Sequence, residues 1–180
     1  MNNKGSILVL LIIVMAIIIV LGASVLNMAV MQYNIKKFNT QAKQSFYMAE
    51  TGLNVAFVDA YELMDDAVED SLKKANEYLL LFPLNEVEAE NIFRESYKIY
   101  MTTNLEKTVY RNSNPMVEIT NGATLLFCSD KLKVNIKSKY NSECIEKTAC
   151  VDIIILIPDY YDLKNNLADL LNYISFNGWS

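Results

Sequence analysis

The chain has 180 residues, a mass of 20.5 kDa and a formal charge of −5, and it contains no histidine. The missing imidazole excludes Ser-His-Asp and Cys-His catalysis and the common histidine-bearing metal sites. The negative balance argues against a nucleic-acid binder held by phosphate contacts.

Residues 5–35 carry no charge. Within them Ile7 to Leu26 reads ILVLLIIVMAIIIVLGASVL, about 30 Å of helix and the thickness of a bilayer's hydrocarbon core. No polar face recurs every 3.6 residues, so lipid or a wholly apolar bundle must surround it. The run is longer than the roughly 7–15 apolar residues of a secretory signal. Gly22-Ala23-Ser24 is nonetheless a conceivable cleavage site. Roughly 145 residues remain, enough for one core. Lys4 precedes the run, and Lys36 and Lys37 are the first charges after it.

The helical pattern does not stop there. Val30 to Tyr61 lacks proline and has Gly52 as its single glycine. Phe38, Ala42, Phe46, Ala49, Leu53 and Phe57 recur at helical spacing, with Lys36, Lys37, Lys43 and Glu50 on other faces. This predicts one long helix from Ser6 to Phe82, with a break near Asp65-Asp66 left open. Pro83 ends it. Asn85 caps a second helix over Glu86–Tyr110, with Glu86 and Glu88 in its first turn.

After Pro115 the period changes to two. Val117–Thr120 and Thr124–Cys128 read as strands joined by an Asn121-Gly122 hairpin turn. Lys131 to Lys137 alternates strictly, which sends Leu132, Val134 and Ile136 to a core. Thr148–Ile157 follows as a strand closed by Pro158, and the tail suits a short helix and an edge strand over Tyr173–Trp179. The fold class is α+β: a long hydrophobic helix running on into an amphipathic one, packed on a C-terminal antiparallel sheet of about four strands.

Two stretches carry a family likeness. Met1-Asn2-Asn3-Lys4-Gly5 is a short basic leader ending in glycine, and Ser6 opens the apolar run. It resembles the leader of type IV pilins and pseudopilins. Ser45-Phe46-Tyr47-Met48-Ala49-Glu50-Thr51-Gly52-Leu53-Asn54 resembles the FYLAEAGLE signature of PilX-like minor pilins, and clostridial pilin-like proteins carry similar text. The likeness covers residues 1 to about 56. It implies cleavage between Gly5 and Ser6 by a prepilin peptidase and N-methylation of Ser6. Residues 1–5 would be leader, 6–35 the transmembrane and filament-core helix, and 36–180 an extracytoplasmic domain. It also implies a single pass in the cytoplasmic membrane before assembly and a cell-surface filament afterwards. The partners it implies are the peptidase, other pilins, the assembly machinery and membrane lipid. Tyr47, Ala49, Glu50, Gly52 and Leu53 would form the helix motif, and Glu50 would pair with a lysine of a neighbour or lie on the surface. Leu10 stands at mature position five, where most pilins place glutamate. K-type pseudopilins of type II secretion share that loss and sit at the tip. The rival reading is a bitopic, membrane-anchored binding domain outside any filament.

No constellation points to an enzyme, a metal or a cofactor. Cys144 and Cys150 flank a short stretch that a disulfide could staple across a hairpin, leaving Cys128 buried on a strand. Other pairings, and three reduced thiols, stay open. Asp59, Glu62, Asp65, Asp66, Glu69 and Asp70 read as a solvated helix face without a calcium loop. Tyr160, Tyr161, Phe176 and Trp179 fit either a binding patch or core packing.

Overall fold

The computed structural model describes residues 4–121, 125–142 and 145–179. The first helix, α1, spans Lys4–Leu81 without a break at Asp65-Asp66. Helix α2 spans Glu86–Val109, and five strands follow: β1 Met116–Ile119, β2 Phe127–Cys128, β3 Lys131–Ser142, β4 Ile145–Leu156 and β5 Ile174–Trp179. A short helix, α3, Tyr160–Lys164, and a 3-10 turn, Leu170–Tyr173, separate β4 from β5. The chain is α+β, with a long apolar helix, a second helix and a C-terminal antiparallel sheet. It divides into two compact units, Met1–Lys43 and Gln44–Ser180.

In the first unit the side chains from Ile7 to Gln41 are exposed. An exposed Leu, Ile and Val surface of this extent marks contact with another apolar phase.

The second unit holds the core. Pro83 follows the end of α1, and Asn85 caps α2 by accepting a hydrogen bond from the Glu88 amide at 3.4 Å. Ala89, Phe93, Tyr97, Met101, Leu105 and Val109 recur every fourth residue of α2 and are all buried. Helix α1 contributes Ala49, Leu53, Ala56, Ala60, Met64, Ala67 and Ala75 to the same core. Of the expected helical face, Ala49 and Leu53 are buried and Phe57 packs against the core, whereas Phe38 and Phe46 are exposed. Alanine predominates on that buried face, beside the larger Leu53, Leu63 and Met64.

The sheet order is β1-β3-β4-β5, with β2 also paired to β3. Leu132, Val134 and Ile136 face the core as their alternation requires. The expected hairpin between the first two strands does not form. β1 pairs with Ile136–Lys139 and β2 with Lys131–Leu132, so both lie end to end along one edge of β3. Gly122 lies outside the described residues. Asn121 itself is engaged with β3: its Nδ2 donates to the Lys133 carbonyl at 2.9 Å, and its Oδ1 accepts from the Asn135 amide at 2.8 Å. A side-chain amide thus continues the ladder where β1 has ended. Asn114 does the same at the other end, donating to the Asn141 carbonyl at 2.7 Å and accepting from its amide at 3.1 Å.

Candidate functional site

Two features of α1 stand out: the apolar segment and the Tyr47–Asn54 stretch. The apolar segment reaches a mean hydropathy of 3.3, and no residue of its most apolar window is buried. By length and composition it is able to cross a membrane. Gly5 and Ser6, the expected cleavage and methylation positions, lie within the α1 backbone. Leu10 is exposed on the same helix.

The Tyr47–Asn54 stretch divides by helical geometry. Phe46, Tyr47 and Met48 point outward, and Ala49, Gly52 and Leu53 point into the core. Glu50 is half-buried. The Thr51 hydroxyl donates to the Tyr47 carbonyl at 2.9 Å, a local bond within the helix. Gly52 has a steric reason to be glycine. A Cβ built there would run into the hydroxyl of Ser138 on β3 and would stand 3.0 Å from Cγ of Pro115. Ser138 lies mid-sheet, opposite Val117 on one side and Ala149 on the other. At Gly52, therefore, α1 lies against β3 and Pro115 with no room for a side chain.

One turn further on, Asp59 accepts a forked pair of hydrogen bonds from Arg111, with Nη2 at 2.8 Å and Nε at 3.1 Å. Arg111 also bridges backbone-to-backbone with Val117 of β1. The ion pair fastens α1 to the segment that enters the sheet. Nothing in the sequence spacing marked this pair, because the partners are 52 residues apart.

The remaining acidic residues behave as a solvated face. Glu62, Asp65, Asp66 and Glu69 are exposed, and Asp70 pairs with Lys74 at 2.6 Å. Among the described residues no three His, Cys, Asp or Glu side chains converge as a metal-binding group.

The cysteines are arranged differently from the expectation. Cys128 is exposed, not buried. It pairs with Lys131 while Phe127 pairs with the buried Leu132, so the period of two turns Cys128 outward. Cys144 lies outside the described residues. The stretch 145–149 is continuous strand and not a connection, with Cys150 opposite Lys137.

Of the C-terminal aromatics, Tyr160 is in the core against Phe93, with ring centroids 5.7 Å apart. Phe176 packs on Phe57 at 4.5 Å, and Tyr161 is exposed. Packing accounts for Tyr160 and Phe176. Burial pushes the Tyr97 and Tyr160 hydroxyls above the ordinary phenol range. A hydrogen bond to Glu86 at 2.9 Å raises Lys164.

Sequence patterns missed three sets of residues: the amide clamps Asn114 and Asn121, the buried hydroxyls, and an exposed apolar turn. The hydroxyls of Ser71, Ser138 and Tyr160 are buried without a hydrogen-bond partner. Leu80, Leu81, Phe82, Leu84 and Val87 are all exposed around Pro83. No protein-family model, no curated protein and no solved structure matches the chain.

Proposed function

We propose that the chain is a minor subunit of a type IV pilus or a related secretion filament, a structural protein without catalytic activity. In this reading a prepilin peptidase cuts between Gly5 and Ser6 and methylates Ser6. The apolar segment of α1 holds the subunit in the cytoplasmic membrane. An assembly machine then withdraws it, and the helix joins a bundle of other pilin helices. Burial of apolar surface, about 25 cal/mol per Å², keeps it there. Glu50 pairs across the subunit boundary with a lysine of a neighbour.

The observation that carries the reading is a conjunction. A charge-free run over residues 6–35 begins directly after a basic leader ending in Gly5, and its exposed helix leads into the motif that Gly52 seats against Ser138. Leu10 bears on position in the filament. An ammonium buried among apolar helices is costly without a carboxylate partner. A subunit with leucine at that position cannot neutralise the N-terminus of one above it, which suits a tip or priming position.

The test is the mature N-terminus, determined by mass spectrometry on protein from native membranes with and without the host's prepilin peptidase. The expected chain begins at N-methylated Ser6 only when the peptidase is present. A chain beginning at Met1, or just past Ala23, in both strains would overturn the proposal in favour of an anchored or secreted domain.

A further inference from the structure

The lysines that close the charge-free run are exposed. Between Gly5 and Ala49 the charged residues are Lys36, Lys37 and Lys43, and the first acid after them is Glu50. In a chain of net charge −5, this is a segregated positive zone. Among the described residues none of the three amines has a carboxylate partner. At 100° per residue, Tyr33, Lys36, Lys37, Thr40 and Lys43 fall within an arc of about 120° on α1. Tyr33, Lys36, Lys37 and Thr40 line one shallow concavity, and Lys36, Thr40 and Lys43 line the next.

Helix length gives this zone an address. From Ile7 to Ile35 the helix runs about 42 Å at 1.5 Å per residue. A bilayer with its headgroups measures roughly 40–45 Å. With Ile7 at one face, Lys36 is the first charge to emerge at the other. Tyr33, one turn earlier, sits at the depth where amphipathic rings collect. Lysine stems reach along the helix while the amines seek the headgroup layer.

We propose that Lys36, Lys37 and Lys43 bind the phosphates of anionic lipid headgroups where α1 leaves the bilayer. This rests on the membrane-spanning part of the reading above. Each lysine near an anionic surface favours it by about fivefold, an effect that salt screens. The grip fixes the depth of the subunit in the membrane and opposes its withdrawal.

The full chain is reconstituted into vesicles of equal phosphatidylglycerol and phosphatidylcholine. Spin-labelled analogues of each lipid then report the fraction held at the protein surface. The expected result is a several-fold preference for phosphatidylglycerol at low salt. It falls at high salt and is lost in a K36Q/K37Q/K43Q variant. It survives in the corresponding triple arginine variant and in K73Q, which changes a lysine further along α1. Equal selectivity in the wild type and the triple glutamine variant overturns the proposal. So does cross-linking of these lysines to the acidic face at Glu62, Asp65 and Asp66 of a second copy without lipid preference. Flotation with pure phosphatidylcholine vesicles separates the two readings. A chain that does not float refutes membrane insertion itself, whereas one that floats without headgroup preference refutes the lysine grip alone.

Discussion

Replacing Gly52 with alanine tests the tight seat of α1 against Ser138 and Pro115. In a free helix the change gains about 0.8–1 kcal/mol, because glycine is a poor helix former. Here the new methyl would meet Ser138's hydroxyl and stand 3.0 and 3.2 Å from Cγ and Cβ of Pro115. Overpacking of this kind costs about 1–3 kcal/mol. The balance is a net destabilisation of up to about 2 kcal/mol. Ser138→Ala separates the terms. Alone it removes a buried, unpartnered hydroxyl, which stabilises by about 1 kcal/mol. In that background Gly52→Ala meets only the proline ring and becomes nearly neutral. The expected coupling between the two changes is about 1–2 kcal/mol. Urea unfolding of the full chain in mild detergent, followed by fluorescence of the single tryptophan, Trp179, measures all four corners of the cycle. If Gly52→Ala stabilises by about 1 kcal/mol in both backgrounds, α1 does not lie against β3 at this point and the steric account of the motif fails.

Three further outcomes are expected. Asp59→Asn weakens the forked pair with Arg111, whose side chain is 43% exposed, so the loss is held to about 1 kcal/mol, and Arg111→Lys does not substitute for it; chemical denaturation checks both. Ser71→Ala removes a buried hydroxyl without a partner and improves helix propensity, so stability rises by about 1–2 kcal/mol; a loss would reveal a partner for the hydroxyl. Burial raises the Tyr97 hydroxyl above its ordinary value of 10.0. The neutral form is therefore favoured in the fold, and stability is intact below pH 10. Above it the unfolded chain ionises first and stability falls. Tyr97→Phe should lessen that fall by about 1.4 kcal/mol in all between pH 9 and 11, read from unfolding midpoints.

Much of the fold was legible because its periods are clean. Pro83, the Asn85 cap and the acids Glu86 and Glu88 mark where α2 starts, and Lys131 to Lys137 alternates without a fault. Both read correctly as a helix and a half-buried strand. The errors came where long-range contact overrides local signal. Phe38 and Phe46 share a helical face with Ala49 and Leu53, but only Ala49 and Leu53 are buried, because the period of a helix does not say where along α1 the core begins. Asn121-Gly122 has the composition of a hairpin turn. The asparagine amide bonds to β3 instead, and β1 and β2 lie in line. Cys128 looked like a core residue because the strand around it is apolar, yet pairing with Lys131 turns it outward. In the candidate site, the motif was visible as text, but the reason for its glycine was not, since Ser138 and Pro115 lie far along the chain. The Asp59–Arg111 pair was invisible for the same reason.

The asparagines that hold both ends of β1 give the domain a chemical clock. Hydrolysis of either amide to a carboxylate replaces the Nδ2 donor with an oxygen. That oxygen would then confront a carbonyl now bonded at 2.7 Å for Asn114 or 2.9 Å for Asn121. Attraction becomes repulsion, and that end of β1 loosens from β3. The two ends do not age alike. In the usual route the next residue's backbone nitrogen attacks the side-chain carbonyl carbon, ammonia leaves, and water opens the resulting ring to the carboxylate. Asn114 is followed by proline, which has no N–H to close it, and Asn121 by glycine, the least hindered partner. In stored protein the amide at position 121 should therefore be lost first, and the domain should begin to open at the end of β1 next to Ile119.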